Sequence, residues 1–347
     1  MEYRPLGRTD TKVSVVGLGT MTWGEQNSEH DAFAQMDYAL DHGVNFFDTA
    51  ELYAIPPRAE TQGRTEEIIG KWLQQRGTRE RIVLASKIAG PGPDWIPHIR
   101  GGRTVFDAAN LHAAVEASLR RLQTDYIDLY QLHWPERDTN FFGRLGYDAD
   151  EPDRFTPVRE TLEAVQSLME AGKIRHFGLS NETPWGVMTF LKVAEQYDLP
   201  RVVSVQNPYS LLNRSFEVGL AEIALREHCG LIAYSPLGFG VLSGKYLDGQ
   251  QPEGARLTRW PDYARYSSAE AVAATREYVE LARRHDLDPA QMALAWCHGR
   301  PFLTSTLIGA TSMAQLESNI ASAELVLPPE VIEGIEAIHR RIPNPSP

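Results

Sequence analysis

The sequence predicts an α/β barrel in which eight parallel strands alternate with helices and close into a ring. Three observations lead there. Short apolar runs rich in Val, Ile, Leu and Phe alternate with longer segments of helical period, the pattern of repeated βαβ units around a parallel sheet whose strands are buried on both faces. Those runs number eight. Polar residues stand directly after several of them, at the positions that open into the mouth of a (β/α)8 TIM barrel.

The eight strands are predicted at Val15–Gly17, Asn45–Phe47, Ile82–Ser86, Ile127–Leu132, His176–Leu179, Val202–Val205, Leu231–Tyr234 and Ser305–Ile308. Helices are predicted between and after them at Asp31–His42, Thr65–Arg76, Ala108–Arg121, Val158–Ala171, Pro184–Tyr197, Phe216–His228, Ala271–His285 and Met313–Ala323. In the last, Met313, Leu316 and Ile320 recur at helical spacing. Asp288 followed by Pro289 reads as an N-cap with proline at the first helical position, so Ala290–Cys297 becomes an accessory helix before the eighth strand. Pro329–His339 is a further accessory helix on the outside.

Ahead of the first strand, residues 3–6 and 12–14 flank Gly7-Arg8-Thr9-Asp10, which predicts a hairpin capping one barrel end. Three connections are unusually long and rich in Pro, Gly and charge: Ala89–Asp107, Trp134–Thr156 and Gly238–Ser268. Each follows a strand, so each is expected over the C-terminal mouth as a lid or substrate loop. The closing Pro-Asn-Pro-Ser-Pro is expected to be mobile.

A length of 347 residues fits one such barrel with insertions, so residues 1–347 are expected to form a single domain. A net charge of −12 argues against nucleic acid or an anionic membrane as partner. Two cysteines, Cys229 and Cys297, do not make a disulfide framework. The first residues lack the order of a signal peptide, and no apolar stretch is long enough to span a membrane, so a reducing cytoplasm is the expected location.

Four residues at strand ends carry the chemistry. Strand two leads into Asp48-Thr-Ala-Glu-Leu-Tyr53, strand three into Lys87, and strand four into His133-Trp134. Singly, each has a bland explanation: a helix cap, a rim aromatic, a snorkelling lysine, a hydrogen-bonded core imidazole. Jointly they converge on neighbouring strands. An Asp-Lys pair beside a phenol favours the phenolate, which lowers a pKa of about 10 and makes Tyr53 a usable acid near neutrality.

DTAELY, the lysine of ASK and the histidine of QLHWP, with GLGTMTWG, GKIRHFGLSN, VQNPYSLLNR, AYSPLGFGVLSGKY and IGATSMAQLESNI, resemble the aldo-keto reductases from about Tyr3 to Ile338. MTWGEQNSE, PPRAETQGRTE and NPYSLLNRSFEVGLAE are similar to the bacterial Tas-like branch and the potassium-channel β subunits. The resemblance implies NADPH-dependent reduction of a small-molecule aldehyde or ketone. Tyr53 is then the general acid, Asp48 and Lys87 tune it, and His133 orients the carbonyl or shares in the proton relay. It also implies that Ser180, Asn181 and Gln206 bind the nicotinamide carboxamide, with Tyr234 stacked on its ring, and that Thr20 and Met21 contact the cofactor.

For the rest of the cofactor the resemblance implies Ser235, Pro236, Leu237, Gly238 and Lys245, then Gly309, Ala310, Thr311, Gln315 and Asn319, with the helix start near Ser312 suited to phosphate. The lysine and arginine that grip the 2′-phosphate in many family members fall on Gly309 and Gln315, so NADPH is expected with NADH as the alternative. An accessory role, in which cofactor is bound without physiological turnover, is the competing reading that the channel β-subunit resemblance raises. Gly17-Leu18-Gly19 after a strand suggests a Rossmann dehydrogenase, but Thr22 stands where the third glycine belongs. Of ten histidines only His133 lies at a strand end, which argues against a catalytic metal. Trp23, Trp95, Trp134, Phe141, Phe142 and Trp260 are candidates for an aromatic-lined mouth or for loop anchors; oligomeric state is not legible.

Overall fold

The protein is described by a computed structural model over residues 1–147 and 155–347. The elements, in chain order, are a hairpin of β1 (Tyr3–Pro5) and β2 (Lys12–Ser14), then β3 (Val16–Gly19), α1 (Glu29–Asp41), β4 (Phe46–Asp48), α2 (Arg64–Arg76), β5 (Val83–Ile88), α3 (Ala108–Leu122) and β6 (Ile127–Leu132). There follow α4 (Val158–Glu170), β7 (Ile174–Ser180), α5 (Pro184–Tyr197), β8 (Val202–Pro208), α6 (Leu220–Glu227) and β9 (Gly230–Tyr234). The chain continues through α7 (Arg256–Arg259), α8 (Ala269–Arg284), α9 (Pro289–His298), β10 (Leu303–Ile308), α10 (Met313–Ala321) and α11 (Pro329–Arg341). Strands β3 to β10 pair in parallel and in sequence order, and β10 returns to β3, which closes the (β/α)8 barrel.

Helix starts follow their caps. Ser28 and Asp31 bond each other's backbone N–H groups at the start of α1, and Asp107 accepts from Asn110 N at 2.8 Å to open α3. Asp288 accepts from Gln291 N at 2.9 Å ahead of Pro289, and Ser312 opens α10. The predicted helix Phe216–His228 is broken: a 3-10 turn, Ser215–Val218, precedes α6, with Gly219 between them closely approached by Pro184.

The barrel interior is apolar below and polar above. Phe46, Val83, Ala85, Leu129, Val203, Ile232 and Leu307 pack with Leu6 and Val13 of the hairpin, which plugs the N-terminal end. Gly7, at φ 62°, sits so close to Val203 that a Cβ would come within 2.8 Å of its carbonyl oxygen, and Arg4 donates to the carbonyls of Leu303 and His298 at 2.9 and 2.7 Å. Gly17 is a packing glycine rather than a dinucleotide turn: a Cβ would meet Phe46 and Leu307 inside the barrel.

Strands end later than their apolar runs. Strand β3 pairs through Gly19 with Asp48, β5 continues through Lys87 to Ile88, and β7 continues through Ser180. The ladder persists where side chains turn polar, because backbone pairing depends on the closed ring and not on hydropathy. The C-terminal tail is also anchored, contrary to its composition. Ser346 is buried and donates its N–H to Leu212 O, Arg214 N donates to Asn344 Oδ1 at 2.6 Å, and Arg265 donates to Pro347 O.

Candidate active site

Period-two alternation puts Asp48, Lys87 and Gln131 two residues past Phe46, Ala85 and Leu129 of the apolar layer, on the inner face at the top of the barrel, and Gln206 joins them from β8. Lys87 Nζ is fully buried and donates to Asp48 Oδ2 at 2.6 Å, to Thr49 O at 2.8 Å and to the Tyr53 hydroxyl at 3.4 Å. The other carboxylate oxygen of Asp48 accepts from Gln206 Nε2 at 2.8 Å and Gln131 Nε2 at 3.1 Å. The Tyr53 ring meets His133 edge-on with centroids 5.7 Å apart. The four strand-end residues therefore form one cluster. Gln131 belongs to it too, and its signal was its position two residues before His133 on one strand face.

The electrostatics differ from the sequence expectation at Tyr53. Burial is the largest influence and lifts the phenol above its ordinary value; Lys87 pulls it down, while Asp48 pushes it up again. The lysine restrains the rise without reversing it. Burial disfavours the Lys87 ammonium, but the Asp48 carboxylate outweighs that together with Tyr53 and holds it charged. Burial, aided by Lys87, holds His133 well below its usual range, so its imidazole is neutral at neutral pH.

Beside this cluster, Asn181 donates through Nδ2 to His133 O at 2.8 Å and accepts from the Tyr234 hydroxyl at 2.6 Å. Ser180 Oγ donates to Gln206 O at 2.8 Å, and Thr20 Oγ1 donates to Asp48 O at 2.8 Å. Met21 O accepts from Ile55 N. After β9, Ser235, Pro236, Leu237 and Gly238 lead into a tight turn that brings Gly240 beside Lys245. After β10, Thr311 donates to Gln315 Oε1 at 3.0 Å and Asn319 Nδ2 donates to Gly309 O at 3.3 Å, with Ala310 buried between. Gly309 and Gln315 are exposed, and a Cβ at Gly309 would meet nothing within 4 Å.

Arg256 escaped the sequence reading. It is half-buried on α7 with its guanidinium 4.9 Å from the Phe239 ring centroid, and burial lowers its pKa. Burial and then Arg256 lower Lys245 as well. Among the described residues neither cation has an ion-pair partner. No motif marked Arg256, because it lies in a long loop whose path the sequence leaves open.

Of six candidate mouth aromatics, four come together: Trp134 lies 5.0 Å from His133, 5.1 Å from Trp95 and 5.7 Å from Phe142, which meets Phe141 at 5.0 Å. Trp23 is instead buried beneath α1, bonded to Gln35, and Trp260 packs on Tyr263. The loops Ala89–Asp107 and Trp134–Thr156 thus meet over His133; residues 148–154 of the second lie outside the described residues.

A closed eight-stranded barrel with this cluster at its C-terminal mouth has the form of an oxidoreductase of the aldo-keto type. The chain belongs to the aldo/keto reductase family, whose profile matches residues 15–340. Protein tas of Escherichia coli is 52% identical over 347 residues, the whole of both chains. The uncharacterized oxidoreductase YrpG of Bacillus subtilis is 35% identical over 97% of this chain and 96% of its own. A probable voltage-gated potassium channel subunit beta of Arabidopsis thaliana is 30% identical over 99% and 98%. Family membership brings with it small carbonyl substrates and a nicotinamide cofactor as a class. Among the described residues no helix is long and apolar enough to cross a membrane.

Proposed function

We propose that the chain works as one barrel unit that reduces aldehydes or ketones to alcohols with NADPH, Tyr53 being the proton donor. The observation that carries this reading is the Lys87 ammonium, bonded to Asp48 at 2.6 Å and 3.4 Å from the Tyr53 hydroxyl, next to a neutral His133. The phenol stays protonated through neutral pH and so arrives at the reaction with its proton. It gives that proton up to the developing alkoxide, which is far more basic than a phenolate, and the adjacent ammonium stabilises the phenolate left behind. Asp48 keeps that ammonium charged, Gln131 and Gln206 hold Asp48 in place, and His133 orients the carbonyl oxygen.

The residues fit a nicotinamide dinucleotide on three observations: the buried His133 Nδ1 has no hydrogen-bond partner, the surface at Gly309 is open, and two half-buried cations lack counter-charges among the described residues. When bound, the cofactor supplies the hydride. Ser180, Asn181 and Gln206 would hold the carboxamide, Tyr234 would stack on the ring, and Thr20 and Met21 would flank it. Ser235, Pro236, Leu237, Gly238, Lys245 and Arg256 would take the phosphates, and Gly309, Ala310, Thr311, Gln315 and Asn319 the adenosine. Lys245 and Arg256 bring positive charge to the pyrophosphate that NADPH and NADH share, and the preference for NADPH rests on the family resemblance.

The relatives named as channel β subunits support a second reading, an NADPH-binding accessory protein with little turnover. Purified protein with NADPH and a panel of aldehydes and ketones separates the two. Loss of NADPH absorbance is expected, and Tyr53→Phe should cut the rate by about a hundredfold or more while cofactor still binds. Equal rates in the variant reject Tyr53 as donor; tight binding without turnover on any carbonyl selects the accessory role.

A further inference from the structure

Glu51 lies between Asp48 and Tyr53, and the proposed reaction gives it no part, yet it is 2% exposed and fully engaged. Its carboxylate accepts from Ala89 N at 2.7 Å and from both terminal nitrogens of Arg100, Nη1 at 2.6 Å and Nη2 at 2.9 Å. Its own N–H donates to Lys87 O at 3.2 Å, and its carbonyl accepts from Gln62 Nε2 at 2.8 Å. Arg100 is fixed in turn by Nε, which donates to Asn110 Oδ1 at 2.9 Å. One two-pronged ion pair therefore joins the segment carrying Tyr53, the end of β5 and the start of α3.

What it joins them to is the mouth. Arg100 belongs to the loop Ala89–Asp107, whose Ile96 and Ile99 pack beneath with Leu52, Trp134 and part of Tyr53. The upper side of the same loop carries Trp95, 45% exposed, against Trp134. From His133 the rings run outward through Trp134 to Trp95 and to Phe142, itself 44% exposed. An apolar contact in place of Glu51–Arg100 would hold the loop at least as firmly, because desolvating two charges offsets most of what their attraction returns. A two-pronged arginine–carboxylate pair adds what apolar packing lacks, a defined angle between its parts.

We infer that Glu51–Arg100 is a positioning pair that sets substrate selectivity: it holds the Trp95 loop at a fixed height over Tyr53, so that the site favours carbonyls borne on a flat, apolar, ring-sized body. The inference rests on the reductase reading. The carbonyl carbon gains a hydride, with its electron pair, from NADPH, which leaves as NADP⁺, and the oxygen gains the Tyr53 proton. The pair touches neither atom.

The test compares 2-naphthaldehyde with propanal in the full-length protein, Arg100→Met and Arg100→Lys, with rates expressed per NADPH-binding site so that misfolded chain drops out. The parent should favour the naphthaldehyde. In Arg100→Met that preference in kcat/KM should fall by about tenfold, through KM for the larger aldehyde, while propanal kinetics stay within about twofold. Arg100→Lys keeps the charge and one bond, so it should lose less, about threefold; it serves alone if Arg100→Met does not bind cofactor. A preference unchanged per cofactor-binding site in either variant overturns the positioning role, as does a parent that turns over both aldehydes without preference. A parent that reduces other carbonyls of the panel but neither aldehyde also overturns the inference, whereas one that binds NADPH and reduces no carbonyl at all removes the reductase reading itself, a distinct result.

Discussion

Among the described residues Lys87 is buried with a single carboxylate, Asp48, as counter-charge. Removing that carboxylate leaves an ammonium in the barrel core with only neutral partners. Asp48→Asn should destabilise the protein by about 3–5 kcal/mol in a denaturant titration; an unchanged midpoint would mean that Lys87 is not charged there. The Tyr53 phenol sets a second expectation. Burial raises it above 10.0 despite Lys87, so reduction should show no alkaline decline below that pH, and the neutral His133 should add no step around 6.5. A descending limb near neutrality in kcat would show that the lysine prevails over burial.

Helix α9 is tied to the barrel by a buried imidazole. His298 Nδ1 lies 3.1 Å from Thr306 Oγ1 on β10, and Nε2 lies 3.1 Å from Ser322 Oγ, just after α10. Burial, then the Arg4 charge, lower its pKa from 6.5 to about 4. A depressed folded value means that the unfolded chain binds the proton more readily, so the contribution is complete above 6.5 and fades as pH falls toward about 4. Its full size is about 3 kcal/mol. Unfolding free energy measured across that window should decline with acid, and His298→Gln should flatten the decline. An identical slope in the variant would place the titration elsewhere. Elements departed from the sequence expectation chiefly at their ends, and a short helix, α7, formed inside the connection Gly238–Ser268. Strands β3, β5 and β7 outran their apolar runs, the helix before β9 broke at Gly219, and the tail found partners in Leu212 and Arg214.

The charge of the whole molecule, −12, opposes an anionic cofactor at long range, whereas on the proposed reading Lys245 and Arg256 would attract it locally. Screening acts on both, since the Debye length falls from about 10 Å at 0.1 M salt to about 3 Å at 1 M. The local attraction would act on phosphate oxygens at contact distance and outweigh the long-range effect, so NADPH affinity should weaken severalfold over that range. NADH carries the same pyrophosphate and should weaken by a similar factor, as titrations by cofactor fluorescence would reveal. An affinity for both cofactors that does not change with salt would remove the two cations from phosphate binding.

Period and position in the sequence by themselves determined the eight-fold alternation, the cap of α9, and the presence of Asp48, Lys87 and His133 at strand ends, because each depends on local pattern. Tertiary structure decided the sign of the Tyr53 shift, since burial and two opposed charges compete there at short range and no spacing reports which prevails. It also decided which aromatics meet, that Arg256 lies against Phe239, and that Glu51 reaches Arg100 across 49 residues. Those outcomes follow from the paths of long loops, whose backbone is set by the partners they reach rather than by any period of their own.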